Sequence, residues 1–155
     1  MRLNLNIYTV FMALILLLCS CTSAPDNKMD SVFVMVYDYE NNELMDVSIL
    51  IDGKEAGRTD IYGRLLFPCD VEKETAVTAQ KRGYETVEIT TMVRAGTLLY
   101  FRMGSGNYYA ELAEKLLDEN ELHDALKMID KSLEIEERKD RRYLREVILR
   151  RMKND

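Results

Sequence analysis

Apolar residues fall along this chain in three rhythms. They are continuous from Val10 to Leu18, alternate from Ser31 to Met103, and then recur every three or four residues through Met152. A membrane-spanning helix needs about 20 apolar residues, and the first run is much shorter. With Arg2 ahead of it, it fits a secretory signal peptide over residues 1–20. In Ser31–Asp38, Val32, Val34 and Val36 share one side and Phe33, Met35 and Tyr37 the other, which predicts a strand buried over much of both faces. Asp46–Asp52 alternates through Val47, Ile49 and Ile51 and ends on Asp52-Gly53, a two-residue hairpin signal. Further strands are predicted at 55–59, 63–67, 75–81, 85–91 and 97–103. This spacing predicts a small antiparallel seven-stranded β-sandwich over 31–103.

A Gly104-Ser105-Gly106 hinge then marks a boundary. In the segment 107–153, Tyr109, Leu112, Ala113, Leu116 and Leu117 fall on one helical face, and Leu122, Ala125, Leu126, Ile129 and Leu133 on a second. Asp118–Glu121 forms the turn between them, with Asn120 suited to the left-handed cap. A third helix is predicted from Arg141 to Met152 through Tyr143, Leu144, Val147 and Ile148. The expected class is α+β: a sandwich followed by an α-helical hairpin plus a third helix.

Composition narrows the function classes. The 155 residues are 47% hydrophobic and 31% charged with a net charge of -6, which excludes a disordered polar tail and a polytopic membrane protein. An acidic balance argues against non-specific nucleic-acid binding, which needs a positive field. The one histidine, His123, stands alone at a helix start and is no metal-site candidate. The net value also conceals a split. Glu111 to Glu137 holds ten acids against three lysines, whereas Arg138 to Lys153 holds eight bases against two acids. The preferred account is a third helix folded back on its acidic neighbour; the other is a basic helix touching anionic lipid headgroups.

Leu18-Cys19-Ser20-Cys21 resembles the bacterial lipobox. The resemblance implies cleavage before Cys21 and acylation of its thiol; Cys19 is the poorer acceptor because bulky Leu18 precedes it. Residues 21–30 then form a tether between lipid and fold. The expected location is the bacterial cell envelope. Thr22, where some bacteria read an aspartate as an inner-membrane retention signal, favours the outer membrane. With Cys19 lost and Cys21 acylated, Cys69 is expected as a buried thiol rather than half of a disulfide. Its neighbours Pro68 and Asp70 offer no cation to activate it.

Two further resemblances follow. Asp46-Val47-Ser48-Ile49, Gly57-Arg58-Thr59-Asp60, Tyr62-Gly63-Arg64-Leu65 and Arg82-Gly83-Tyr84 together resemble the carboxypeptidase regulatory-like domain, a transthyretin-type sandwich. Ile51-Asp52-Gly53-Lys54 leading to Gly57-Arg58-Thr59 also resembles the PEGA domain, although Asp60 stands where that family usually has proline. Neither resemblance implies catalysis; the first implies that Thr59-Asp60 and the glycine after it shape a tight turn. The two first helices resemble a tetratricopeptide repeat, with Tyr109, Leu112-Ala113, Leu116, Ala125, Ile129 and Ser132 at its signature positions and Glu137 in place of its proline. Such repeats need neighbours to bury their faces, so this hairpin is expected to pack on its own third helix, on the sandwich, on another copy or on a partner.

No candidate chemistry changes this picture. The acidic turn Asp38, Glu40, Asn42, Glu43 and Asp46 lacks the spacing of a calcium loop, and Asp60 is expected to bond its own backbone rather than act as a base. No catalytic, cofactor or metal residues are expected. The expected function is a non-catalytic, lipid-anchored envelope lipoprotein acting as a protein–protein interaction module. The alternative is a carbohydrate-binding accessory lipoprotein using Tyr37, Tyr39, Tyr62 or Tyr84 as stacking platforms.

Overall fold

Alternation along the chain becomes two layers of strands around one core. The computed structural model describes residues 31–69 and 72–154; the signal segment, Cys21 and the tether lie outside the described residues. The strands are β1 (Ser31–Asp38), β2 (Ser48–Ile51), β3 (Lys54–Arg58), β4 (Arg64–Pro68), β5 (Lys73–Gln80), β6 (Val87–Val93) and β7 (Leu98–Met103). They form a three-stranded sheet in the order β4-β1-β7 and a four-stranded sheet in the order β3-β2-β5-β6. Val32, Val34, Val36, Leu99, Phe101 and Met103 of the first sheet are buried in one cluster with Ile49, Val77, Ala79 and Val93 of the second. Each such side chain contributes about 1.5–3 kcal/mol on burial, and together they hold the sheets face to face.

One feature departs from the antiparallel expectation. β1 pairs antiparallel with β4 but parallel with β7, with Phe33 opposite Leu98 and Asp38 opposite Met103. A parallel pair needs a long crossover, and here the whole four-stranded sheet supplies it. The chain therefore passes Ser31 at one end of the three-stranded sheet and leaves Met103 at the other. Strand starts also move. Asp46, placed in the second strand by its alternation, has φ 55 and turns the chain before β2.

The turns behave as the residue types dictate. Asp52 and Gly53 both have positive φ, closing the β2–β3 hairpin. Asp60 Oδ1 accepts from the backbone N–H groups of Tyr62 and Arg64, each at 2.9 Å, which makes it a turn residue. Thr59 is buried, accepts from Val47 N–H at 3.0 Å and donates to the Leu44 carbonyl at 2.6 Å. That hydroxyl stitches the β1–β2 connection onto the end of β3.

The helices are α1 (Gly106–Asp118), α2 (Leu122–Ile135) and α3 (Lys139–Asn154). Asn120, with φ 63, ends the first: its N–H reaches Leu117 O at 3.2 Å and that of Glu121 reaches Leu116 O at 2.8 Å, the paired bonds of a Schellman cap. Ala113 and Ala125 are fully buried in a cluster with Leu117, Leu122, Ile129 and Ile148. On α3 the expected apolar stripe is corrected at one end: Tyr143 is 73% exposed, whereas Arg141 is 3% exposed. The reason is a local polar demand. α2 carries no basic residue in its last turn, and the Arg141 guanidinium reaches back to Ser132 O at 3.2 Å, Glu136 O at 2.9 Å and Asn107 Oδ1 at 2.7 Å. Arg145 also pairs with Asp130 at 2.6 Å, and Arg151 donates to Leu117 O at 2.8 Å. The basic helix thus folds onto its acidic neighbours.

Thr59→Val is expected to destabilise the chain by about 1–3 kcal/mol, because it orphans a buried N–H and a buried carbonyl, while Thr59→Ser retains most of the stability. Urea denaturation of both variants checks this; wild-type stability in the valine variant would show that the stitch is dispensable.

Candidate functional site

The sandwich and helices meet around one carboxylate. Between β5 and β6 the chain turns at Arg82-Gly83-Tyr84, with Tyr84 N–H bonded to Lys81 O at 3.1 Å. Tyr84 then bridges to Ser105, Glu85 N–H donates to Gly104 O at 2.9 Å, and Gly106 N–H donates to Gly83 O at 3.0 Å. Ser105 Oγ caps α1 by accepting from Tyr108 N–H at 3.0 Å. Glu85 is thereby pulled out of the strand expected from its alternation, and its side chain points into the joint. One carboxylate oxygen accepts from Gly104 N–H and from Tyr109 Oη, each at 2.7 Å; the other faces Lys131 Nζ at 2.5 Å. Lys131 Nζ also lies 4.3 Å from the centre of the Tyr109 ring.

Electrostatics follow from that geometry. Burial by itself raises the Glu85 carboxyl, but Lys131, the Tyr109 hydroxyl and the Gly104 N–H outweigh it and hold the group below its ordinary value. Burial, and then the adjacent Glu85 charge, push the Tyr109 phenol far up. The Gly104-Ser105-Gly106 segment, expected as a hinge, is instead a packed joint. A side chain at Gly104 would strike the Tyr109 ring, and one at Gly106 the Arg141 guanidinium. Glycine serves close approach here rather than freedom of motion.

Two surfaces flank this joint. The outer face of the three-stranded sheet carries Phe33, Met35, Tyr37, Leu66, Leu98 and Tyr100; the register sets Phe33 opposite both Leu66 and Leu98, and Met35 opposite Tyr100. Leu66, Leu98 and Tyr100 are 50–58% exposed. The Tyr37 and Tyr100 rings lie nearly parallel, 18° apart with centres at 6.3 Å. The second surface, at the Asp38 end of β1, brings Tyr39 against Tyr108 with ring centres at 5.1 Å.

The residues singled out from the sequence are scattered over these features. Tyr37 lies on the apolar face, Tyr39 and Tyr84 at the joint, and Tyr62 in the β3–β4 turn under the Arg64 guanidinium at 4.4 Å. Asp38 accepts from the N–H groups of Glu40 at 2.9 Å and Asn42 at 2.8 Å, so the acidic turn is organised by its own backbone. Cys69 is half-buried, its Sγ 3.9 Å from Val93 O, at the opposite end of the sandwich. His123 is exposed on the first turn of α2. Cys21 lies outside the described residues. Glu85, Lys131, Arg141 and Tyr100 were not anticipated. Spacing offers a signal for two of them: Arg141 stands seven residues before buried Ile148, and Tyr100 falls between core residues Leu99 and Phe101.

Glu85→Gln is expected to lower stability by about 1–3 kcal/mol at neutral pH, through loss of a charge-assisted bond network. Because folding depresses the Glu85 pKa, its contribution is complete above the unfolded value, about 4.3 for glutamate, and is lost as the pH falls through the folded value. The gap between wild type and variant should therefore narrow below about pH 4. Melting curves recorded across that range check it; a gap independent of pH would remove Glu85 as the source.

No family model matches this chain, and no curated protein matches it. Among solved structures it is similar to the Bacillus anthracis TIE protein at 13% identity and a TM-score of 0.41, over 49% of this chain and 16% of that one. It is similar to a chain of a type II cohesin–X-dockerin complex from Acetivibrio cellulolyticus at 20% identity and a TM-score of 0.42, over 49% and 58%. It is also similar to 3-chlorocatechol 1,2-dioxygenase from Rhodococcus opacus at 15% identity and a TM-score of 0.33, over 53% and 62%. This chain thus spans less than two thirds of each of these proteins, and overlaps this loose carry no argument about its activity.

Proposed function

We propose that this chain is a non-catalytic, lipid-anchored lipoprotein of the bacterial cell envelope that acts as a protein–protein interaction module. The observation that carries the interaction reading is the outer face of the three-stranded sheet. The solvent side of a two-layer fold is ordinarily polar, yet here six apolar or aromatic side chains share that face across three strands, with Arg64 beside Met35 and Arg102 beside Tyr37 at one end of it. Contiguous exposed apolar surface of this kind marks interaction sites. The lipobox-like Leu18-Cys19-Ser20-Cys21 supports anchoring through Cys21, with 1–20 as signal, 21–30 as tether and the outer membrane as the preferred location.

Strand polarity supports a display role. β1 and β7 run parallel, so the tether joins at Ser31 while the helices leave from Met103, roughly 25 Å away along the strands at about 3.3 Å per residue. The helical segment leaves the sandwich at the end opposite Ser31. The carboxypeptidase regulatory-like reading of the sandwich is supported by the Thr59-Asp60 turn and Gly63, and is preferred to the PEGA reading. The tetratricopeptide-like reading of the helices is supported by the close crossing at Ala113 and Ala125. A glycan-accessory role remains the second reading because the near-parallel Tyr37 and Tyr100 rings resemble a stacking platform. Of the tyrosines first considered for it, only Tyr37 lies on that face.

Cys21→Ala should release the protein from carbonate-washed membranes into the soluble fraction; retention would sink the anchoring claim. The full chain is expected to form cross-linked complexes in envelope extracts; Leu66→Glu with Tyr100→Glu should abolish them and leave the melting temperature nearly unchanged, because both side chains face solvent. Unchanged complexes would remove the apolar face from the reading. Binding to a glycan array that disappears in Tyr37→Ala and Tyr100→Ala would favour the second reading.

A further inference from the structure

Between the turn after β1 and the start of α1 lies a cleft of about 230 Å³ lined by Asp38, Glu40, Glu111, Tyr39, Tyr84 and Tyr108, together with Ser105 and Asn107. Pockets that enclose a drug-sized ligand run to roughly 300–1,000 Å³, so this one suits the end of a single small group. Its walls are of two kinds: aromatic rings and carboxylates.

The carboxylates are not neutralised from within the fold. Among the described residues, Asp38, Glu40 and Glu111 make no ion pair; Glu43, Glu74 and Glu88 of the sandwich make none either, but the first three line one cleft. Asp38 bonds to the N–H groups of Glu40 and Asn42 and the Asn42 amide, neutral donors that leave its charge intact. The negative field reaches Tyr84, whose phenol is raised first by burial and then by the charges of Asp38 and Glu40. The rings are already fixed: Tyr39 and Tyr108 are stacked at 5.1 Å, and Tyr108 meets Tyr109 edge-on at 5.3 Å. A few ångströms away the same joint seats Lys131 over the Tyr109 ring.

We propose that this cleft binds an organic cation, an ammonium or guanidinium group, held against the tyrosine rings and neutralised by Asp38, Glu40 and Glu111. An aromatic wall attracts a cation through the negative face of the ring, and the adjacent carboxylates supply a field that a neutral group of the same shape does not exploit. Calcium is a poorer fit, because it requires six to eight oxygen ligands and three of the eight lining residues are tyrosines. The inference does not rest on the lipid anchor or on the apolar sheet face; either can fail while this one stands. The cation's source is a basic side chain of a partner polypeptide or a free amine.

The test is a titration of the full chain in non-ionic detergent, followed by the ring signals of isotope-labelled tyrosine. The probes are tetramethylammonium chloride, acetyl-Gly-Lys-Gly-amide, the neutral acetyl-Gly-norleucine-Gly-amide, calcium chloride, and sodium chloride at matched ionic strength. Saturable shifts at Tyr39, Tyr84 and Tyr108 are expected with the organic cations alone. Binding of both cations assigns recognition to the ammonium group itself, and binding of the lysine peptide alone assigns it to a cation carried on a polypeptide. Glu40→Gln and Glu111→Gln, both at exposed positions, should each weaken binding about threefold to fivefold with an unchanged circular dichroism spectrum. Equal shifts with the neutral peptide, shifts reproduced by sodium chloride or calcium chloride, or full affinity in both glutamine variants would overturn the proposal.

Discussion

The whole arrangement turns on keeping the Glu85 carboxylate charged where solvent scarcely reaches it. A desolvated charge costs several kcal/mol unless partners replace its water, and those partners come from both halves of the chain. Gly104 N–H lies in the connection, while Tyr109 Oη and Lys131 Nζ belong to α1 and α2. The carboxylate therefore ties three consecutive stretches together. Tyr109 fits because Gly104 has no side chain to occupy its space, and Lys131 is held by the ring as well as by the charge. Two small cores that bury little surface separately become one object through a polar joint.

Arg141 plays the complementary part on the far side of the helices. It answers the open carbonyls at the end of α2 and grips Asn107 in the first turn of α1. Ser132 Oγ donates to Gly106 O at 2.5 Å in the same place. The start of α1 is consequently pinned twice, once by the sandwich through Glu85 and once by α3 through Arg141. Neither anchor depends on extensive apolar contact, which explains how a single helical hairpin with one added helix holds a fixed position against a β layer.

What was legible in the sequence divides by physical type. Period-two alternation separated Val32, Val34 and Val36 of β1 from Phe33, Met35 and Tyr37 but predicted burial on both sides, whereas the structure buries the first set and leaves the second half-exposed, because only one face of β1 has a sheet packed on it. The parallel pairing of those strands was not legible, since it is decided by the route of the chain through the other sheet. Asn120, Asp52-Gly53 and Asp60 were readable because turn conformations are set by the residue itself. Gly104 and Gly106 misled, since glycine permits motion and close contact alike, and only the Tyr109 ring and the Arg141 guanidinium show which applies. Of the tyrosines at the cleft, Tyr39 and Tyr84 could be named as aromatic candidates but Tyr108 could not, and none could be grouped, since the three come from separate segments. The lipobox-like stretch lies outside the described residues, so the anchoring expectation rests on its own chemistry.

The apolar sheet face and the tyrosine–carboxylate cleft are consecutive along β1. Phe33, Met35 and Tyr37 line the face, and Tyr39, two residues on, stands at the cleft. These neighbouring surfaces discriminate in different ways. An apolar face supplies area and little selectivity, because any apolar group of the right shape gains by covering it. The cleft, as the proposed cation site, supplies little area but favours a cation over a neutral group of the same shape, through the field of Asp38, Glu40 and Glu111. A polypeptide that covers the face with apolar side chains and ends in a basic residue would satisfy both, whereas a merely sticky surface would satisfy the first alone. Specificity arises in this way when part of a site rejects what another part would accept. The joint around Glu85 makes that possible here, since it helps to hold Tyr108 and Glu111 of α1 beside Tyr39 of the β1 turn.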